Sequence, residues 1–147
     1  MSQVSRRQFL STAASGTAVA LVGSRNASRA LGANEAVRVG VVGLRGRGQL
    51  HMSMVSSIPE FRLAAVCDVD PAVLGHVVEA VGKKGQAVRG FKDVRELLAC
   101  KDIDAVTIAT PNHWHSLAAV WACQAGKDVY VEKPVSHNIF EGRQLVR

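Results

Sequence analysis

The sequence predicts an α/β fold with a doubly wound parallel sheet, and three observations support this. Short runs of β-branched and apolar residues alternate with segments of helical apolar spacing, as in parallel strands joined by helical crossovers. A glycine-rich turn follows the first of these runs. Two polar clusters follow the last two runs, where the carboxyl ends of parallel strands form a common binding edge.

The elements follow from periodicity and from turn residues. Continuous apolar runs of four to eight residues indicate buried strands, and apolar residues three or four apart indicate helices. In chain order the prediction is a strand over 37–42, a glycine turn over 43–48, a helix over 49–57, a strand over 61–67, a helix over 72–81, a short strand over 87–88, a helix that holds Val94, Leu97 and Leu98, a strand over 104–109, a helix over 116–125, a strand over 129–131 and a last helix up to Arg147.

Buried faces and caps can be named from the same pattern. Asp93 is the expected N-cap of its helix, because its side chain can accept from free backbone N–H groups. Asp70 with Pro71 suits the start of the second helix, Ser136 the start of the last one, and Gly126 the end of the helix over 116–125. The expected buried residues on the first helix are Leu50, Met54 and nearby Ile58. On the fourth helix, Leu117, Val120 and Trp121 are apolar residues at helical spacing, and Trp121 is expected to be a packing group.

The segment GVVGLRGRGQLH carries the first chemical signal. Read against G-x-G-x-x-G, Gly43 is the first glycine and Gly48 the third, while Arg45 occupies the middle position. Such glycines let backbone N–H groups approach a pyrophosphate at a helix start. An arginine crowds that approach, so neighbouring Gly46 is expected to supply the conformational freedom that the backbone needs there. Arg45 or Arg47 is expected to pair with phosphate. The alternative is a tight strand-to-helix turn without a ligand.

An acidic residue follows the second strand at a suitable distance. Asp68 lies 25 residues after Gly43, near the spacing of about 20 for the acid that binds the adenosine ribose in Rossmann-type domains. A carboxylate there accepts from the ribose hydroxyls and repels a 2′-phosphate, which favours NAD over NADP. The alternative role, a helix cap, fits Asp70 better and leaves Asp68 free for a ligand.

The later strands end in Thr110-Pro111-Asn112 and in Glu132-Lys133-Pro134. Both clusters are expected to face one crevice at the carboxyl edge of the sheet. Taken alone, Lys133 is most often a solvated surface lysine, but its place at a strand end favours a functional role.

The residues 37–147 resemble the Gfo/Idh/MocA (glucose–fructose oxidoreductase, inositol dehydrogenase and MocA) oxidoreductases. The segments that carry the resemblance are VRVGVVGLRGRGQLH, AAVCDVDP and IATPNHWHSLAAVWACQAGKDVYVEKPVS. The combination of an ATPN-x-x-H turn with a later EKP is specific, and Arg45 is the departure from the pattern. The resemblance implies an NAD-binding Rossmann domain and hydride transfer to or from a sugar, sugar acid or cyclic polyol.

The resemblance also implies roles for individual residues. Lys133 is the implied catalytic residue, which polarises the substrate hydroxyl or carbonyl and supports proton transfer. Burial and nearby charge would suit a lysine to that work by lowering its pKa. The implied cofactor-binding residues are Gly43, Leu44, Arg45, Gly46, Arg47 and Gly48 at the pyrophosphate, Asp68 at the ribose, Thr110, Asn112 and His115 along the crevice, and Glu132 and Lys133 near the nicotinamide.

Metal and disulfide chemistry are not favoured. His113 and His115 form an H-x-H pair, but no third ligand has suitable spacing, so no metal site is predicted. Cys67, Cys100 and Cys123 have no paired spacing, which leaves room for one disulfide after export but favours small buried residues.

The first 30 residues read as a twin-arginine export signal. Arg6 and Arg7 precede a mild apolar stretch over 13–23, and 28–30 place small residues at a cleavage site. The stretch is shorter than the roughly 20 residues of a membrane span. The prediction is a periplasmic or cell-envelope protein carried by the twin-arginine translocase, with a short linker over 31–36. The alternatives are an uncleaved anchor or a disordered basic arm.

The net charge of +6 depends largely on this signal. Its four arginines come with no acids, which leaves 14 basic and 12 acidic residues over 31–147. No basic block with interleaved aromatics is present, so nucleic-acid binding is not expected.

The resemblance further implies a second α/β domain, with substrate and oligomer contacts, that residues 37–147 do not contain. Two functions therefore remain open from the sequence. The chain is either the nucleotide-binding part of a sugar or polyol oxidoreductase, with a homo-oligomer left open, or a non-catalytic dinucleotide-binding fragment or subunit.

Overall fold

A computed structural model describes residues 36–147 of the chain, so the predicted export signal and residues 31–35 of the predicted linker lie outside the described residues. Strands and helices alternate along this part of the chain, as predicted. The elements are β1 (Val37–Val42), α1 (Arg47–Ser57), β2 (Phe61–Cys67), α2 (Pro71–Lys83), β3 (Arg89–Phe91), α3 (Val94–Leu98), β4 (Ala105–Ile108), a 3₁₀ turn (Asn112–Trp114), α4 (His115–Gln124), β5 (Asp128–Val131) and α5 (Ile139–Val146).

The strands form one parallel sheet in the order β3-β2-β1-β4-β5. The chain builds outward from β1 to β3 and then crosses back to place β4 on the other side of β1. This order is that of a doubly wound fold, and ligands of such folds bind at the carboxyl ends of the strands where the order reverses. The predicted fold class is therefore confirmed, and the binding edge lies where β1 meets β4.

Hydrophobic clusters cover both faces of the sheet. Alternate residues of a strand point to opposite faces, so Val41 packs with α1 and α2 while Val42 packs with α3 and α4. None of the helices between residues 36 and 147 has the length and apolar character needed to cross a membrane.

The predicted buried face of α1 is wrong. Leu50 is 47% exposed and Met54 52% exposed, whereas Gly48, His51 and Val55 are buried. The close approach of Gly48 to the strand-to-helix turn fixes which face meets the sheet, and the buried stripe continues at the third and seventh positions from there. The buried position on α1 is therefore occupied by the polar residue His51, whereas hydrophobicity alone predicted Leu50 and Met54 there.

The predicted helix α4 is confirmed, but its most buried residues are not its largest apolar ones. Leu117 is 42% exposed and Val120 and Trp121 are half-buried, while Ala118, Ala119 and Ala122 are fully buried. Small side chains let this helix lie close to the sheet, so the largest apolar residues lie at its sides.

Most boundaries differ from the prediction by one or two residues, and two of the differences have a clear physical cause. The edge strand β3 begins at Arg89 instead of 87, because it pairs only with the last three residues of β2. The last helix is capped by Asn138 and not by Ser136, since the Asn138 side chain accepts from the backbone N–H of Glu141 at 2.9 Å. The capping roles predicted for Asp70 and Asp93 are confirmed.

Candidate functional site

The glycine loop between β1 and α1 depends on two close backbone approaches. Gly43 has a φ of +83°, and a Cβ atom there would lie 2.8 Å from the backbone of Ala109. A Cβ atom on Gly48 would lie 1.8 Å from the carbonyl oxygen of Gly43. Gly46, with a φ of +46°, is the N-cap of α1 and faces open space. The loop thus presents a helix start with room for a ligand, as phosphate-binding turns do.

Leu44 and Arg45, the first two side chains of the loop, are held by other parts of the fold. Leu44 is fully buried and donates its backbone N–H to the Asp68 carboxylate at 2.9 Å. Arg45 is exposed and pairs with Asp70 at 2.5 Å. Backbone N–H groups of α2, together with the Arg45 guanidinium, hold the pKa of Asp70 below its usual range. Arg45 at the middle glycine position is therefore accommodated, because Asp70 draws its side chain aside.

Asp68 binds the loop from the end of β2. Its Oδ2 accepts from Leu44, and its Oδ1 accepts from the backbone N–H of Asp70 at 3.0 Å. As expected, Asp70 and not Asp68 caps α2. An ionised carboxylate has about four acceptor positions, so two internal bonds leave capacity for ribose hydroxyls. Asp68 lines a cavity of about 450 Å³ together with Lys92, Thr110 and Trp114.

A second cavity, of about 210 Å³, brings the two later polar clusters together. Because β4 and β5 are parallel neighbours, their carboxyl ends place Asn112, Glu132 and Lys133 around one crevice. Arg47, at the start of α1, closes its other side. The lining residues are Arg47, Ala109, Thr110, Asn112, His115, Glu132 and Lys133.

His115 connects the two turns that form this crevice. It is 2% exposed, with its Nδ1 atom 2.7 Å from the Pro134 carbonyl oxygen and its Nε2 atom 2.7 Å from the Thr110 carbonyl oxygen. The ring therefore links the segments after β4 and β5. A direct contact of His115 with a cofactor stays a prediction.

Glu132 is held by His51, a residue that was not among the predicted site residues. His51 of α1, 4% exposed, has its Nε2 atom 3.1 Å from Glu132 Oε1, and Arg47 Nε lies 3.9 Å from the same oxygen. The His51 hydrogen bond, then the backbone N–H of Lys133 and the Arg47 charge, lower the pKa of Glu132. The signal that could have revealed His51 is its position three residues after Gly48.

Lys133 lines the crevice and is exposed. The burial invoked from the sequence is therefore absent at this residue. Thr110 lines the same cavity with a buried hydroxyl oxygen that has no hydrogen-bond partner among residues 36–147. A ligand that enters the crevice would meet an accessible amine.

The cysteines differ in environment. Burial, with smaller effects of Asp68, Asp93 and Glu96, raises the pKa of the Cys67 thiol to about 12, which makes it unreactive at neutral pH. Cys123 is exposed, so the expectation that it is a small buried residue is wrong. In the described part of the chain, no three His, Cys, Asp or Glu residues are grouped to hold a metal ion.

Comparisons with known proteins agree with this geometry. Residues 37–147 match the Gfo/Idh/MocA model, described as an oxidoreductase family with an NAD-binding Rossmann fold. The chain is 38% identical over 117 residues to a glycosyl hydrolase family 109 protein from Shewanella sp. strain ANA-3, which covers 76% of this chain and 26% of that protein. It is 36% identical to an alpha-N-acetylgalactosaminidase from Shewanella oneidensis, with the same shares covered.

A solved structure of scyllo-inositol dehydrogenase from Lactobacillus casei, with bound NAD(H) and scyllo-inositol, matches with a TM-score of 0.69 and 29% sequence identity. The match covers 76% of this chain and 32% of that one. The chain thus spans about a quarter of the length of the curated relatives and about a third of the structural neighbour.

Proposed function

Because the chain belongs to the Gfo/Idh/MocA oxidoreductase family, we propose that it binds NAD(H) at the carboxyl edge of the sheet and takes part in hydride transfer at a sugar or polyol carbon. The main support is the crevice in which Lys133, Glu132 and Asn112 meet beside Arg47, the first residue of the helix that follows the glycine loop. The alternative of a sugar acid as substrate belongs to the same reaction class.

The residues of this edge fit a dinucleotide. Gly46 leaves open space at the start of α1, where backbone N–H groups suit a pyrophosphate. Asp68 lines the larger cavity, which suits an adenosine, and Thr110 lines both cavities. Glu132 and Lys133 line the smaller cavity, which suits the nicotinamide half and the reacting carbon.

Within this proposal, Lys133 moves the proton. The bound nicotinamide ring supplies the hydride acceptor or donor. When a substrate alcohol is oxidised, its C–H hydride would pass to the nicotinamide and Lys133 would take up its O–H proton; in the reverse direction Lys133 would return a proton to the forming alkoxide. Glu132 orients the nicotinamide ribose from the adjacent position, and its low pKa keeps it an acceptor near neutral pH.

We expect NAD to bind more tightly than NADP. The carboxylate of Asp68 lies at the end of β2 and would repel a 2′-phosphate. Lys92, which has the opposite charge, lines the same cavity. The preference for NAD over NADP therefore depends on how Asp68 is held. The internal bonds from Leu44 and Asp70 keep this carboxylate in place.

The test uses the native full protein and separates binding from chemistry. Lys133→Met should lower the rate of hydride transfer by about 10²- to 10⁴-fold, as loss of a general acid–base does, while NADH affinity changes by less than about threefold. Lys101→Met, at an exposed position outside both cavities, is the matched control. Turnover that survives in Lys133→Met would contradict the role of the lysine. NADH binding without turnover by the wild type would favour the non-catalytic subunit.

A glycosidase is the second candidate, because the curated relatives at 36% and 38% identity carry glycosidase names. Hydrolysis is redox-neutral, so a bound nicotinamide that took a hydride would have to return it within the turnover. The two candidates differ in one readout. A dehydrogenase accumulates NADH with a free sugar or polyol, whereas such a glycosidase releases p-nitrophenol from an aryl N-acetylgalactosaminide without net NADH.

Export by the twin-arginine route belongs to the same proposal and is supported by Arg6, Arg7 and the small-residue site over 28–30. That route carries folded proteins, and free NAD is scarce outside the cytoplasm. The exported protein should therefore load NAD beforehand, hold it tightly and cycle it between two substrates. Fractionation of cells that express wild type and Arg6→Lys/Arg7→Lys tests this: the variant should stay inside, and envelope protein should contain nucleotide. Wild type that stays inside, or nucleotide-free envelope protein, would contradict it.

A further inference from the structure

We propose that His51 is a positioning residue that fixes the carboxylate of Glu132 and ties the end of β5 to the helix that begins at the glycine loop. Its effect on hydride transfer rests on the proposed function, whereas the hydrogen bond itself does not. His51 would act through Glu132, since it lines the apolar groove beside α1 and not the crevice.

The geometry assigns the proton of the ring. The ionised Glu132 carboxylate can only accept a hydrogen bond, so His51 Nε2, at 3.1 Å from Oε1, carries the proton. The ring is held from the side by Tyr130, with centroids 5.4 Å apart and an interplanar angle of 77°. Burial to 4% exposure removes competing water, so this contact should hold the carboxylate more firmly than a surface contact would.

The other groups that face Glu132 are weaker restraints. Arg47 approaches Oε1 only to 3.9 Å and is 62% exposed, so water screens much of its attraction. The backbone N–H of Lys133 reaches Oε2 at 3.3 Å, and this contact is within the same turn of chain. Arg47 and His51 lie four residues apart, on one face of α1, and both approach Oε1. Among residues 36–147, only His51 joins Glu132 to a buried part of the fold.

The second ring nitrogen distinguishes positioning from packing. His51 Nδ1 is buried and has no hydrogen-bond partner among the described residues, in a groove of about 300 Å³ lined largely by apolar residues. An unpaired buried polar atom opposes folding, and an apolar replacement of similar size can be neutral or stabilising. A histidine kept only for packing would therefore be replaced by leucine without loss. A positioning histidine would lose function in that replacement even when stability is kept.

The experiment compares the full chain as wild type, His51→Leu, His51→Gln and Val55→Ala. Glutamine keeps an N–H donor for Glu132, whereas leucine has none. Val55 lies on the same buried stripe of α1, so Val55→Ala disturbs packing without touching Glu132. The carboxyl carbon resonance of Glu132, followed by NMR from pH 3 to 7, reports its pKa directly. NADH fluorescence titrations report affinity, and urea unfolding reports stability.

In His51→Leu we expect the Glu132 pKa to rise toward the usual glutamate value and NADH to bind about tenfold more weakly, the size of one lost charge-assisted hydrogen bond. His51→Gln should stay within about threefold of wild type, and Val55→Ala should leave the Glu132 titration unchanged. A His51→Leu protein with wild-type titration and affinity would overturn the proposal, as would an equal shift in Val55→Ala. If wild type binds no NADH, the proposed function fails, and the Glu132 titration still decides the role of His51.

Discussion

Two regions of the carboxyl edge of the sheet are built in different ways. The glycine side, which follows β1 and β2, is shaped by backbone: Gly43 and Gly48 permit approaches that any Cβ atom would block. The crevice side, which follows β4 and β5, is shaped by side chains, with His115 joining its two turns and His51 holding Glu132. The first region should therefore fail at single glycines, and the second at buried histidines.

The largest effect is expected on the glycine side, for Gly48→Ala. The new Cβ atom would lie 1.8 Å from the carbonyl oxygen of Gly43, so the backbone of the loop or helix must move. We expect a loss of about 3 kcal/mol in the free energy of unfolding and NADH affinity reduced more than 100-fold, measured by urea unfolding and fluorescence titration. Gly82→Ala in α2, where the added Cβ atom meets nothing within 4 Å, should be neutral or stabilising. Equal behaviour of the two variants would remove the backbone explanation.

The second effect is expected on the crevice side, for His115→Leu. The substitution leaves the carbonyl oxygens of Thr110 and Pro134 without the ring that lies 2.7 Å from each. A hydrogen bond contributes about 1 kcal/mol net, so loss of both part-buried contacts should cost about 2 kcal/mol in urea unfolding. His113→Leu, at an exposed position two residues away, should change stability by less than about 0.5 kcal/mol. If the two substitutions cost the same, His115 does not join the turns.

A smaller effect is expected for Asp68→Asn. The substitution keeps the size of the side chain but replaces one of the two carboxylate oxygens, an acceptor, by an NH₂ group, a donor. That amide group would face the backbone N–H of either Leu44 or Asp70. We expect NAD affinity to fall about tenfold, which corresponds to the loss of one hydrogen bond to a charged group. The preference for NAD over NADP should also become smaller. Calorimetric titration with both nucleotides measures this, with exposed Glu60→Gln as the control. An unchanged preference would mean that discrimination lies elsewhere in the cavity.

The smallest effect concerns Asp93, the N-cap of α3. The Arg95 guanidinium, and then its backbone N–H, lower the pKa of Asp93 from 3.8 to about 2. Because the folded-state pKa is the lower one, the charge adds stability above about pH 4, and this is lost as the pH falls toward 2. Asparagine caps equally well, so the melting temperature of wild type should exceed that of Asp93→Asn at pH 5, and the difference should shrink by pH 2.5. A difference that does not depend on pH would contradict the ionic contribution.

The same contrast explains what the sequence could predict. The glycine turn and the caps Asp70 and Asp93 are local features, because a few neighbouring residues determine them, and the structure confirms the element order built on them. The buried faces of the helices were harder to predict. Leu50 and Met54 have the right hydrophobicity and spacing, yet the helix is oriented by Gly48, whose contact with Gly43 cannot be read from apolar periodicity.

The position of the crevice was predicted from the sequence, but the residue that holds Glu132 in it was not. Parallel strand ends implied that Asn112 would meet Glu132 and Lys133, and they line one cavity. The partner of Glu132, His51, lies 81 residues earlier in the chain, and no local pattern connects the two. The exposure of Lys133 was likewise missed, because burial depends on what lies opposite the strand end.

One NMR titration addresses the joint role of both regions most directly: backbone amide shifts of the full chain recorded with increasing NAD⁺. If the glycine side and the crevice hold one dinucleotide, amides over 43–48 and of Asp68, Asn112, Glu132 and Lys133 should shift together and follow a single binding curve. Shifts confined to one region, separate curves for the two, or no shift at millimolar NAD⁺ would contradict a shared dinucleotide site.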